Sequence, residues 1–210
     1  MISIVDYGMG NLKSVKKAFE KLGFKAVVTR DRDSILNSSG LVLPGVGAFG
    51  DCIRNLNEYN LIEVIKGFLK TGKPFLGICL GLQLLFEESE ESPGIKGLGV
   101  FEGRVKKFSG PYMERLKVPH MGWNQVNFRG QTPFLKGIPQ GSWFYFVHSY
   151  FPEPKDREIV IGKTTYGLEF TSAIQRENVF ACQFHPEKSS SFGLKLLENF
   201  ALVCGEEKTG

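Results

Sequence analysis

The residues best suited to chemistry in this chain are one cysteine and one histidine that lie far apart in the sequence. Cys79 lies in the pentapeptide 77–81, GICLG, and His185 lies in the segment 184–188, FHPEK. A thiol attacks as thiolate, so it needs a base. Glu187 can accept a hydrogen bond from one nitrogen of His185 and leave the other facing the sulfur, as the third member of a triad does. Together these residues predict nucleophilic catalysis.

The pattern around Cys79 is that of a nucleophile elbow, in which a strand turns sharply into a helix. Residues 73–78 predict a short apolar strand, and residues 80–87 predict a helix. Gly77 and Gly81 suit such a turn, because a Cβ at either position would crowd the neighbouring strand and helix. We expect the sulfur to lie over the helix N-terminus, whose partial positive charge favours thiolate. Taken alone, the pentapeptide fits a buried cysteine in a glycine-rich turn equally well.

Strands and helices alternate through the first half of the chain, and they must position these residues. The predicted strands are 2–7, 26–29, 41–44 and 73–78, and the predicted helices are 12–22, 33–36 and 51–71, the last broken near 58–60. This alternation predicts a parallel sheet with right-handed crossovers, whose ligands bind at the carboxyl ends of the strands. Cys79 and the glycine-rich turn 45–50 follow neighbouring strands, so we expect them to meet at that edge.

The pattern changes after residue 91. The predicted β segments are 97–108, 119–128, 143–151, 159–166, 170–174 and 179–184, followed by a helix over 192–203. His185 lies at the end of the last of these segments. Pro186 holds the chain extended there, so His185 and Glu187 can point to the same side.

Composition and charge narrow the class of protein. Hydrophobic residues make up 42% and charged residues 23%, as in ordinary soluble domains. The apolar N-terminus lacks a preceding basic region and is predicted to be a first strand and not a signal peptide. The net charge is +4, and the basic residues are scattered, which argues against nucleic-acid binding. The four cysteines have no metal-site spacing, which favours a reduced, cytoplasmic setting.

A dinucleotide site near the first strand is disfavoured. Gly8 and Gly10 begin a G-x-G pattern, but Lys13 stands where the third glycine of the fingerprint belongs. No cofactor and no metal is therefore predicted for this chain.

The elbow and the FHPE motif resemble those of the class I (triad) glutamine amidotransferases. Four further blocks are similar to the glutaminase subunits of imidazole glycerol phosphate synthase, which act in histidine biosynthesis: PGVGAF at 44–49, PHMGWN at 119–124, YFVHSY at 145–150 and HPEKS at 185–189. The resemblance covers nearly the whole chain. It implies a single α/β domain over residues 1–210, with a mostly parallel central sheet flanked by helices and an added antiparallel β region.

The resemblance also implies how the site works. Cys79, His185 and Glu187 would form the triad that hydrolyses glutamine to glutamate and ammonia. The expected oxyanion donors are the N–H groups of Val46 and Leu80. The expected substrate-binding residues are Gly45, Gly47, Gln83, His148, Ser149 and Tyr150. The expected partner is a separate cyclase subunit, a (β/α)8 barrel that forms a heterodimer with this chain and receives the ammonia. The expected contact residues with it are Asn11, Trp123 and Lys188.

Three alternatives stay open from the sequence. The same catalytic residues would serve an amidotransferase subunit of another synthase, for example one for surface-sugar amidination. A catalytically silent binding module on the same fold is a second possibility. A cysteine hydrolase of similar α/β shape is the third, although the paired His185 and Glu187 argue against it.

Overall fold

The computed structural model describes residues 1–208, and residues 209–210 lie outside the described part of the chain. The strands are β1 (Ile2–Val5), β2 (Ala26–Thr29), β3 (Gly40–Gly45), β4 (Phe75–Cys79), β5 (Phe86–Ser89), β6 (Phe101–Lys107), β7 (His120–Phe128), β8 (Ser142–His148), β9 (Tyr150–Pro154), β10 (Val160–Tyr166), β11 (Leu168–Arg176) and β12 (Val179–Cys182). The helices are α1 (Leu12–Lys21), α2 (Arg32–Asn37), α3 (Phe49–Glu58), α4 (Leu61–Leu69), α5 (Leu80–Gln83) and α6 (Ser190–Val203).

The predicted parallel sheet with an added antiparallel region is confirmed. Among the described residues, a nine-stranded sheet has the order β2-β1-β3-β4-β12-β11-β10-β7-β8. The pairs from β2 to β12 are parallel, and the pairs from β12 to β8 are antiparallel. A smaller sheet has the order β5-β6-β9. The last parallel strand, β12, therefore joins the two halves and carries His185 just beyond its end.

Apolar side chains form a core on each face of the large sheet. Neighbouring strand residues such as Phe75 and Leu76 belong to opposite cores, because successive side chains of a strand point to opposite faces. Phe19 of α1 and Phe200 of α6 pack in one core, and Phe68 of α4 packs in the other. The parallel strands are thus covered on both sides, as parallel sheets require.

Two predicted elements are wrong in extent. The helix expected over 80–87 ends at Gln83, and residues 86–89 form β5, which pairs in parallel with β6. The β segment expected over 143–151 is interrupted at Ser149, so that β8 joins the large sheet and β9 the small one. In both cases the partner strand is distant in sequence, so local periodicity does not reveal the pairing.

The junction between β4 and α5 depends on a close backbone contact. A Cβ at Gly81 would lie 1.9 Å from the carbonyl oxygen of Leu43 in β3. Backbone cannot yield as a flexible side chain does, so only glycine lets α5 begin this close to β3. The elbow is therefore fixed to the neighbouring strand as well as to its own.

We predict that Gly81→Ala lowers the free energy of unfolding by at least about 2 kcal/mol, because the new methyl group overlaps the Leu43 carbonyl. Thermal or urea unfolding measures it. The matched control is Gly67→Ala inside α4, where a Cβ would meet only the side chain of Leu36 at 3.6 Å. That control should leave stability unchanged or raise it by up to about 1 kcal/mol. Equal stability of the Gly81 variant and the wild type would contradict the prediction.

Candidate active site

Cys79 has a strained backbone at the end of β4. Its φ of 54° and ψ of −108° are unusual for a residue with a side chain. A Cβ at Gly77 would lie 2.9 Å from the Cβ of Ala181, so the other flanking glycine is also confined. This geometry is that of a nucleophile elbow.

The expected help from a helix N-terminus is weaker than predicted. The helix after Cys79 has four residues, and a macrodipole grows from aligned peptide units over several turns. The sulfur is buried, with Cys79 6% exposed. A helix of one turn offers less favourable dipole to a negative charge than the longer predicted helix would.

His185 and Glu187 form a buried pair in the turn that follows β12. Nδ1 of His185 lies 2.8 Å from Oε1 of Glu187, and both side chains are almost fully buried. The backbone N–H of His185 donates to the carbonyl of Tyr145 in β8, which ties the turn to the antiparallel region. Among residues 1–208, Nε2 of His185 has no hydrogen-bond partner, so it is available to a group in the pocket that it shares with Cys79.

The surroundings of His185 favour its charged form. Burial alone would lower the pKa of the imidazole, but negative charge on Cys79 and on Glu187 outweighs burial and raises the pKa above its ordinary value. A proton taken from the thiol would therefore stay on His185. His185 is thus suited to accept and hold a proton beside Cys79.

The turn that holds Val46 packs directly on the elbow. A Cβ at Gly45 would lie 2.8 Å from the Cβ of Leu80, so the two backbones approach closely. The Tyr7 hydroxyl donates to the carbonyl of Pro44, and the Cys52 thiol donates to the carbonyl of Val46. These bonds hold the turn from behind. Leu80 begins α5, where the first N–H groups have no partner within the helix.

A pocket of about 280 Å³ lies over Cys79 at the carboxyl ends of the strands. Most predicted site residues line it: Val46, Gly47, Cys79, Leu80, Gln83, His148, Ser149, Tyr150 and His185. Gly45 and Glu187 are not part of this lining. Three lining residues were not foreseen: Glu91, Pro119 and Val147. Glu91 lies two residues after β5, a strand that the sequence does not predict, and no local pattern marks it.

Gln83 is buried and already bonded within the protein. Its Nε2 donates to the carbonyl of Tyr150 at 2.9 Å and to Oε1 of Gln183 at 3.1 Å. Nε2 of Gln183 in turn lies 3.6 Å from Sγ of Cys79. Gln183 was not predicted, although a glutamine inside the apolar segment 179–184 is a signal that sequence inspection can find.

His148 is held by a chain of hydrogen bonds. Its Nδ1 lies 2.8 Å from the carbonyl of Tyr150 and must donate, so its Nε2 accepts from Nδ1 of His120 at 3.0 Å. Asn124 then donates to Nε2 of His120. Both ring nitrogens of His148 are therefore occupied, and a direct bond to a ligand would require one of them to break.

The two linked histidines are neutral near pH 7. Burial lowers the pKa of His120 to about 4 and that of His148 to about 3. The aromatic rings of Phe108 and Phe146 pack against both of them. The charged histidine of this site is thus His185.

The residues expected to contact a partner lie beside the pocket. Trp123 of β7 is 49% exposed and packs edge-on against Tyr145, and Nζ of Lys188 lies 5.9 Å from the centre of the Tyr145 ring. Asn11 precedes α1, which packs against the turn that holds Lys188. The outer face of β7 and β8 also exposes Met121. An apolar surface thus adjoins the candidate active site.

No group of three or more His, Cys, Asp and Glu residues within 1–208 is arranged to hold a metal ion. The cysteines in the same part of the chain are free thiols. None of the described helices is both long enough and apolar enough to span a membrane.

Comparison with known proteins gives consistent matches along the chain. The family described as Glutamine amidotransferase class-I matches residues 3–204. Imidazole glycerol phosphate synthase subunit HisH of Syntrophotalea carbinolica is 51% identical over 203 residues, which cover 95% of this chain and 98% of that protein. The HisH subunit of Moorella thermoacetica is 52% identical over 199 residues, which cover 95% of this chain and 93% of that protein.

Solved structures agree on the fold. The structure of PurLQS from Thermotoga maritima has a TM-score of 0.72 at 19% identity and covers 96% of this chain and 97% of that one. At this identity the likeness concerns the fold alone.

We predict that one histidine titrates above pH 7 and that it is His185, because burial keeps His120 and His148 neutral. The measurement is an NMR titration of the imidazole ring protons. Glu187→Gln and Cys79→Ala should each move the titration to lower pH, since each removes negative charge that favours the imidazolium.

The control is Glu169→Gln, which removes a carboxylate from an exposed ion pair with Lys163. It should leave the His185 titration unchanged. A His185 pKa that stays the same in both site variants would refute the assigned interaction of His185 with Cys79 and Glu187.

Proposed function

Since the chain belongs to the class I glutamine amidotransferases and, within them, to the HisH subunits of imidazole glycerol phosphate synthase, we propose that it hydrolyses glutamine and passes the ammonia to a cyclase subunit. The observation that carries this proposal is the buried pair of His185 and Glu187, which shares one pocket with a strained Cys79. The place of the chain is then histidine biosynthesis, and its free thiols fit a reduced, cytoplasmic setting.

The proposed reaction begins with the thiolate of Cys79. Its sulfur attacks the side-chain amide carbon of glutamine and forms a tetrahedral intermediate. His185 then gives its proton to the leaving nitrogen, so that ammonia departs and a γ-glutamyl thioester remains. Water, deprotonated by His185, attacks the thioester and releases glutamate. Glu187 holds the imidazole in the orientation that both steps need and favours its protonated form.

The oxyanion of the intermediate needs donors that are already in place. The Leu80 N–H is one, and the Val46 N–H across the elbow is the other. Loss of one such donor typically costs about 3–4 kcal/mol of transition-state stabilisation. The contact of Gly45 with Leu80 supports this pairing, because it brings the two backbones together.

The rest of the pocket suits the amino-acid end of glutamine. The Glu91 carboxylate lines the pocket and matches the α-ammonium group. One oxygen of Glu91 accepts from the Phe49 N–H at the start of α3, which fixes the carboxylate in place. Gln83 supports the site chiefly by joining β9 to Gln183, which follows β12. Ser149 and Tyr150 also line the pocket.

The chemistry requires a partner close to the pocket. Ammonia released into water at neutral pH becomes mostly ammonium, which is not a nucleophile. Met121 and Trp123 are exposed beside the partly exposed Tyr145, and this surface continues from the strand whose Val147 lines the pocket. We propose that a (β/α)8-barrel cyclase docks there as a heterodimer, with Asn11 and Lys188 at the edge of the contact.

We predict that Cys79→Ala abolishes glutamine hydrolysis, because no other group in the pocket can form the thioester. In the complex with a cyclase subunit, glutamine-dependent product formation should be lost while ammonia-dependent formation persists. Glutamine hydrolysis is measured as the rate of glutamate release. The glutamine-dependent and ammonia-dependent reactions are measured as rates of imidazole glycerol phosphate production. Glutaminase activity that persists in the Cys79 variant would refute the mechanism. If the wild-type chain supports glutamine-dependent product formation by no cyclase subunit, the partner is another synthase.

We predict that Trp123→Ala weakens binding to the cyclase by about 30-fold, because a half-exposed tryptophan beside an apolar strand is a typical binding hot spot worth about 2 kcal/mol. Calorimetry or fluorescence titration measures the dissociation constant. The control is Leu202→Ala, an exposed apolar residue near the far end of α6. Equal affinity of the Trp123 variant and the control would place the interface elsewhere.

A further inference from the structure

Gln183 is a fully buried amide that lies against the nucleophile. It follows β12, two residues before His185, and has no exposed surface. Its Nε2 lies 3.6 Å from Sγ of Cys79, a normal distance for a hydrogen bond to sulfur. Gln183 therefore places an amide N–H donor against the sulfur of Cys79.

The direction of the Gln183 amide is fixed by its neighbour. Nε2 of Gln83 carries only donors, and it contacts two acceptors: the carbonyl of Tyr150 and Oε1 of Gln183. If the Gln183 amide were reversed, two NH₂ groups would face each other. Oε1 of Gln183 must therefore point to Gln83, and its NH₂ group must point to the sulfur.

The arrangement meets a need that α5 does not. A buried thiolate requires hydrogen bonds to its charged form, and the four-residue α5 provides little dipole. The carbonyl of Val147, 4.0 Å from the sulfur, accepts from the thiol and does not help the thiolate. The N–H donor of Gln183, just after β12, does stabilise the thiolate.

We propose that Gln183 donates a hydrogen bond to the thiolate of Cys79 and thereby holds the nucleophile in its charged form. Gln183 has no exposed surface and lies outside the pocket lining, whereas His185 lines the pocket with Cys79. The proposal rests on the proposed function in one respect, that Cys79 is the nucleophile. Its test requires no glutamine, so the two can fail separately.

Several other groups face Cys79 and bear on its titration. His185, His148 and Glu91 line the pocket with Cys79. Cys52 of α3, Tyr7 just after β1 and Cys182 of β12 also interact electrostatically with Cys79. Burial raises the pKa of Cys52, Cys182 and Cys204, so these thiols react slowly. Alkylation of Cys79 can therefore be followed against a quiet background.

The experiment measures the rate of Cys79 alkylation by iodoacetamide between about pH 5 and pH 10, by mass spectrometry of the peptide that contains it. Gln183→Met removes the donor at similar volume. It should shift the midpoint upward and slow alkylation at pH 7 about tenfold, with a similar plateau at high pH. Gln183→Glu keeps an acceptor for Gln83 but adds negative charge, and it should shift the midpoint further.

Gln175→Met on β11 is the matched control, because its amide donates to the carbonyl of Glu177 away from the site. Its profile should match the wild type. A change of plateau without a change of midpoint would mean that Gln183 only packs, and it would overturn the proposal.

A measurement on the unaltered protein guards against unfolded variants. The side-chain amide resonances of Gln183 should shift with the same midpoint as Cys79 alkylation. Amide resonances that do not respond across that midpoint would also overturn the proposal.

Discussion

The close contact between the Gly81 backbone and the Leu43 carbonyl is the constraint on which the rest of the site depends. It sets where α5 begins, and with it the unusual backbone of Cys79 and the position of the Leu80 N–H. The Gly45 turn then packs on Leu80, so β3 contributes to the same pocket. On the other side, β12 pairs with β4 in parallel and delivers His185 just past its end. Three neighbouring strand ends thus assemble one site.

The site could be foreseen from the sequence where its signals are local. Each of these signals lies at or just after the end of a strand: the glycines around Cys79, the His185–Glu187 pair and the turn that holds Val46. Parallel strands bring their carboxyl ends to one edge of the sheet, so the three were expected to meet. The other residues that line the pocket were harder to predict from the sequence. Glu91 lies just after β5, and Val147 lies in β8. The strands that pair with β5 and β8 are distant in sequence, so no local pattern places either residue in the pocket.

Polar residues in apolar segments were the least well foreseen part. His148 was expected to meet the substrate, yet both its nitrogens are bonded within the protein. Gln183 was not predicted, because a single amide just after an apolar strand has no periodicity that marks its role. Its role depends on hydrogen bonds that exist only after folding: Gln83 donates to the Tyr150 carbonyl and to Oε1 of Gln183, which leaves the Gln183 NH₂ group to face the sulfur.

The turn after β12 also decides how far the large sheet can grow. β8 is the last strand of that sheet, and an open edge strand invites pairing with another chain. At Tyr145, however, the outward carbonyl accepts from the His185 N–H, and the outward N–H donates to the Ser189 hydroxyl. The turn that holds His185 therefore caps the edge at its centre. The same few residues that hold the candidate base also keep the protein from extending its sheet into a neighbouring molecule.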